Sequence, residues 1–108
     1  MSPDTRSRAP DISIVLERVS SVREALSAHG VQRVGVFGSV ARGQASADSD
    51  IDVIVDLDPS HETLSDLVAV AELLEDVLDA DVDLVTRNGV SRYIAPTIEA
   101  EAKYVRVC

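Results

Sequence analysis

Asp50 and Asp52 stand one residue apart, at the end of a polar stretch that opens on a glycine and a serine, Gly38-Ser39. Apolar runs lie on either side, Val34–Phe37 before and Val53-Ile54-Val55 after. On a strand, residues i and i+2 project to the same face, so the two carboxylates point together with Cα atoms about 6.5–7 Å apart. Like charges that close repel, and burying them unpaired is costly. A divalent cation removes the conflict. Mg²⁺ takes carboxylate and phosphate oxygens in octahedral geometry, and two metals about 3.5–4 Å apart can hold the attacking and leaving oxygens of an in-line displacement. The glycine turn supplies the complementary half of a site for a metal-bound nucleotide. It lets phosphates approach backbone N–H groups, and a helical turn begun at Val40 aims further amides at an anion. The Ser39 hydroxyl can donate to a phosphate oxygen, and Arg42 adds a positive charge able to pair with a phosphate or with one of the acids.

A third carboxylate is available in Val82-Asp83-Leu84-Val85. Aspartate is depleted from strands, so one held between apolar residues needs a reason, and a strand beside Asp50–Val55 would bring Asp83 to the same ion. Asp81 shares its face and is the rival; Asp83 is preferred because Asp81 lies nearer the strand's solvent-facing start. Other motifs fail on spacing. Asp48, Asp50 and Asp52 have the alternation of a calcium loop, but Val53 stands where glycine is needed and Pro59 where glutamate is needed. G-x-G-x-x-G is absent, and no Gly-Lys-Ser/Thr follows the glycines. His29 and His61 are isolated and read as helix-end or loop residues.

The elements that must position these groups follow from periodicity. Residues 1–10 are polar with two prolines and are expected to form a loose tail, leaving 11–108 as one domain. Asp11 caps a helix whose apolar face is Ile12, Val15, Leu16, Val19, Val22 and Leu26, ending at His29-Gly30. Val31–Phe37 reads as a strand, and Gly35 within it implies that something packs close to the backbone. Asp50 to Leu57 is the second strand. Ser60 is expected to cap the next helix, with Glu62 in its first turn and a buried stripe of Leu64, Leu67, Val68, Ala71, Leu74 and Leu78. The acids of that helix read as a solvated face. Asp81–Thr86 is a third strand, Asn88-Gly89 a turn, Pro96 the opening of a short helix and Tyr104–Val107 a small edge strand. Arg87 and Arg92 read as solvated loop residues, with an approach to the phosphates as the alternative. Helices and strands mix without a regular βαβ repeat, which implies a compact α/β or α+β sandwich.

Composition limits the function. The chain has 108 residues, 45% of them hydrophobic, and a formal net charge of −9. A surface this acidic disfavours broad binding to nucleic-acid phosphates or anionic lipid, so no direct nucleic-acid or membrane partner is expected. The start lacks the apolar core of a signal peptide, and no run approaches the roughly 18 apolar residues of a membrane span; a cytoplasmic location is expected. The lone cysteine, Cys108, reads as a free thiol without a role.

Gly38-Ser39, ten residues, then Asp50-Ile51-Asp52 resembles the signature of the nucleotidyltransferase superfamily related to DNA polymerase β. The longer form, Gly38-Ser39-Val40-Ala41-Arg42-Gly43 with Ser49-Asp50 closing the loop, is similar to its minimal nucleotidyltransferase (MNT) branch, over about residues 12–104. The resemblance implies an α+β fold, a small mixed sheet with helices packed on it. It implies that Gly38 and Ser39 bind a triphosphate, that Asp50 and Asp52 hold two Mg²⁺ ions, and that Asp83 matches a third carboxylate that helps activate an acceptor hydroxyl. The implied reaction moves AMP from ATP to that hydroxyl and releases pyrophosphate. Larger relatives carry a second domain for the acceptor, and this chain has no room for one, so the acceptor is expected on another protein. Proteins of the MNT branch are often antitoxins paired with a helical HEPN toxin that cleaves RNA. The resemblance therefore implies a type VII-like antitoxin acting by AMP transfer to a toxin tyrosine, by tight binding, or by both.

Overall fold

The computed structural model describes residues 11–45, 50–89 and 95–107. The tail expected over 1–10, part of the polar loop, Arg92 and Cys108 lie outside the described residues. Helices α1 (Ile12–Ser21) and α2 (Arg23–Ala28) lead into β1 (Val31–Phe37), the single turn α3 (Gly38–Ala41) and β2 (Ile51–Leu57). A 3-10 turn (Pro59–His61) and α4 (Leu64–Leu78) lead to β3 (Val82–Thr86). A second 3-10 turn (Arg87–Gly89), α5 (Ala95–Glu101) and β4 (Lys103–Arg106) follow. The sheet runs β3-β2-β1-β4. β1 pairs antiparallel with β2 and β4, while β2 and β3 are parallel. A parallel neighbour needs a crossover, and α4 provides it, so one βαβ unit is present where the sequence showed no regular repeat.

The pleat sorts residues by face. One face carries Val34 and Val36, which pair with Val55 and Val53. It belongs to a core of Val15, Val19, Leu26, Val31, Val40, Ile51, Leu57, Val70, Leu74 and Leu78, supplied by α1, α2, α4 and the strands. The second face is polar at both ends: Asp52 and Asp83 at one, Arg33 and Asp56 at the other. Between them sits Gly35, where a Cβ would lie 2.6 Å from the Tyr104 ring and 2.9 Å from Ile54. That is the close approach expected there, and the Arg33 guanidinium stacks on the same ring at 4.1 Å. The Tyr104 hydroxyl is buried without a hydrogen-bond partner among the described residues.

Three expectations are corrected. The helix expected from Asp11 to His29 breaks at Val22, whose φ of −111° and ψ of 18° are not helical. The Ser21 hydroxyl donates to the Arg18 carbonyl at 2.5 Å, a local bond that competes with the helical ladder. One non-helical residue barely disturbs the phase, so Val15, Val19 and Leu26 still reach the core. Asp11 does cap α1, accepting from Ser13 N–H, and Gly30 takes the left-handed position at φ +83°. Second, Ser60 does not cap the long helix. Asp58 holds the 3-10 turn by accepting from Ser60 N–H at 3.0 Å, and Thr63 caps α4 by accepting from Asp66 N–H at 3.1 Å. Third, the buried stripe is Val70, Leu74 and Leu78, leaving Leu64 77% and Val68 46% exposed. Val68 and Val70 are about 200° apart on a helix, so burial of Val70 turns Val68 outward.

Asp66 is also more than a solvated acid. His29 Nδ1 lies 3.1 Å from one of its oxygens and His61 Nδ1 3.3 Å from the other. The His29 hydrogen bond, with those of Thr63 and His61, holds its carboxyl below the usual carboxylate range. The two histidines do stand at a helix end and a loop, and both help fasten the start of α4 to the end of α2.

Candidate active site

Three chain segments meet at one end of the sheet's second face. Asp52 on β2 lies opposite Phe37 on β1 and beside Asp83 on β3. Phe37 is followed by Gly38, which turns the chain at φ +72° into α3. A Cβ on Gly38 would lie 2.1 Å from Asp52 Oδ2. Glycine is needed there twice: for the backbone angle, and to leave room for a carboxylate against its Cα. Ser39 is half-buried, and its carbonyl accepts from Gln44 N–H at 2.8 Å, closing the start of the polar loop.

Asp50 sits just before β2 rather than as its first residue. It is exposed, as is Asp83, while Asp52 is half-buried. Burial raises the Asp52 pKa above its ordinary value, and the charges of Asp83 and Asp50 raise it further; Arg42 lowers it, and Glu101 raises it. The charges of Asp83 and Asp50 thus both reach Asp52. Asp81, the rival for the third position, is tied by its carbonyl, which accepts from Ile51 N–H at 2.9 Å. Asp83, not Asp81, is in register with Asp52.

Among the described residues, no three His, Cys, Asp or Glu side chains are drawn together into a metal cage. Mg²⁺ does not require a closed cage, since it keeps several waters and binds through one or two carboxylates plus substrate phosphates. The donor set, all hard carboxylate oxygen with Asp52 raised in pKa by burial and by the Asp83 and Asp50 charges, fits that ion.

Arg42 pairs with an acid, and that acid is Glu101 rather than one of the three aspartates. Its Nη1 lies 3.1 Å from each oxygen of Glu101, and its Nε donates to Gln44 Oε1 at 3.2 Å. Glu101 also accepts from Gly38 N–H at 3.1 Å. Nothing in the sequence pattern marked Glu101, which stands 59 residues from Arg42 at the end of a short polar helix. Arg87 is exposed, as expected, and also pairs with Asp56 at 3.8 Å and with Glu99 of α5. Asp56 also takes Arg33 at 2.9 Å. α5 is thus tied down at two glutamates.

Comparison with known proteins identifies the family of the chain. A family model described as nucleotidyltransferase domain matches residues 19–105. The protein adenylyltransferase MntA of Thermococcus cleftensis is 36% identical over 97 residues, covering 85% of this chain and 97% of its own. A solved structure described as a minimal nucleotidyltransferase has a TM-score of 0.68 at 38% identity, covering 82% of this chain and 93% of its own. A chain from the complex of a tri-AMPylated Shewanella oneidensis HEPN toxin with an MNT antitoxin has a TM-score of 0.60 at 21% identity, a likeness of fold. That match covers 87% of this chain and 71% of the other.

Proposed function

The chain belongs to the nucleotidyltransferase domain family, and from that premise we propose that it is a Mg²⁺-dependent protein adenylyltransferase acting as an antitoxin. Its acceptor is a tyrosine hydroxyl on a partner HEPN toxin. The observation that carries the reading is the alignment of Asp52 with Asp83 directly against Gly38. The names of the similar proteins support the acceptor class, since one is called a protein adenylyltransferase and another is an MNT antitoxin bound to an AMPylated HEPN toxin.

Asp50, Asp52 and Asp83 are the groups that would hold Mg²⁺. The metal supplies charge neutralisation at the phosphates and makes the acceptor oxygen easier to deprotonate. Gly38 N–H and the Ser39 hydroxyl donate to triphosphate oxygens, and Arg42 adds positive charge beside them. The acceptor oxygen attacks the α-phosphorus, an oxygen–phosphorus bond forms, and the bond to pyrophosphate breaks. Asp83, the exposed member of the register pair, takes the acceptor's proton. Half-burial of Asp52 keeps part of the site from water, which strengthens its electrostatics.

The test is incubation of the purified protein with α-labelled ATP, Mg²⁺ and lysate of its own host, resolved on a gel. The expected result is a labelled protein band that is lost, by at least about 100-fold in rate, with Asp52→Asn. Labelling at the wild-type rate in Asp52→Asn overturns the assignment. Toxin neutralisation in cells that survives Asp50→Asn/Asp52→Asn moves the function to masking by contact.

A further inference from the structure

Three aspartates have a place in the proposed reaction; the fourth carboxylate at the site has none. Glu101 Oε1 accepts from Gly38 N–H, and both Glu101 oxygens lie 3.1 Å from Arg42 Nη1. A backbone N–H and a guanidinium converging on an anionic oxygen is the arrangement a phosphate oxygen would take. We infer that Glu101 is a resident anion that holds the triphosphate-binding groups of the site until a nucleotide displaces it, an inference that rests on the nucleotide reading above.

Two further observations bear on it. The Gly38 amide has one hydrogen, and Glu101 accepts it, so a phosphate oxygen taking that hydrogen must move the carboxylate aside. The Glu101 charge also reaches Asp52 and helps raise its pKa, so Glu101 adds to the negative field that an incoming triphosphate meets.

Displacement is feasible because of where Glu101 lies. It is the last residue of α5, and helix ends fray at low cost. Glu99, two residues earlier, has its own tether to Arg87, so α5 stays attached when Glu101 lets go. Nucleotide affinity is then reduced by the fraction of time the amide and guanidinium are unmasked. The same step would free Arg42 to turn from Glu101 to a phosphate, coupling nucleotide occupancy to the C-terminal end of α5.

The experiment measures, by calorimetry, binding of an α,β-non-cleavable ATP analogue with Mg²⁺ to the wild type, Glu101→Gln, Glu101→Ala and Glu99→Gln. Glu101→Gln keeps the side chain's shape and removes its charge. It is expected to bind about tenfold tighter than the wild type, with Glu101→Ala shifted in the same direction. Glu99→Gln removes the same charge from the same helix and is expected to stay within about twofold. Affinity unchanged or weakened in Glu101→Gln, or tightened equally in Glu99→Gln, overturns the resident-anion role and leaves the nucleotide reading standing. Absence of binding by both the wild type and Glu101→Gln overturns the two together.

Discussion

Gly38 and Gly43 share one backbone angle, φ +72°, and differ in what surrounds them. A Cβ at Gly43 would meet nothing within 4 Å, whereas one at Gly38 would run into the Asp52 carboxylate. Gly43→Ala is therefore expected to cost about 1 kcal/mol, the ordinary penalty of a left-handed alanine. Gly38→Ala carries the same penalty plus the displacement of Asp52, about 3 kcal/mol or more together. Thermal unfolding of the two variants isolates the Asp52 contact as their difference. Asp52 has a second consequence. Its pKa in the folded chain lies above its ordinary value, so the folded state binds its proton more tightly than the unfolded state does. The associated stability is fully present below the unfolded pKa of about 3.9 and is lost as pH rises through the higher folded value. In metal-free buffer at neutral pH, Asp52→Asn is expected to stabilise the protein by about 0.5 kcal/mol after solvent screening, about 2–4 °C in Tm. That advantage is expected to vanish when the melts are repeated below about pH 3.9.

At the scale of elements, α4 carries the sharpest contrast. Leu74 is fully buried and Leu64 is 77% exposed. Leu74→Ala is expected to cost about 2–5 kcal/mol, and Leu64→Ala to stay within about 0.5 kcal/mol, as read from denaturant midpoints. The reverse assignment of Leu64 shows how far sequence reasoning reaches. A helix of leucines, valines and alanines holds more than one apolar stripe at helical spacing, and only the sheet it packs on selects one of them. The same holds for its cap: Ser60 and Thr63 both have the chemistry, and the 3-10 turn held by Asp58 settles which is used. The strands were more legible, because Val31–Phe37 and the alternation around Asp52 admit few readings. The link between Asp50, Asp52 and Gly38 was legible because those residues are close in sequence and chemically specific. Glu101 was not legible. Ion pairs between distant surface residues leave no periodicity, and a glutamate at a helix end looks like any solvated acid.

Across the whole molecule, no helix among the described residues is long and apolar enough to cross a membrane, and the acidic balance of −9 is concentrated in the stretch from Asp48 to Asp83, which holds 13 of the 19 acidic residues and no lysine or arginine. The sheet separates two tasks. The main apolar cluster lies between one face and helices α1, α2 and α4. The other face carries Asp52, Asp83 and the Arg33–Asp56–Arg87 charges, with Ile54 buried between them. Stability and the proposed chemistry thus draw on different residues of the same strands, often on neighbours one position apart. A lineage descending from such a protein is free to rewrite its chemistry while inheriting its shape: Asp52 and Asp83 can be lost by drift with the core untouched. What remains is the folded shape, so a catalyst of this architecture and a non-catalytic form of it are separated by a few substitutions on one side of a sheet.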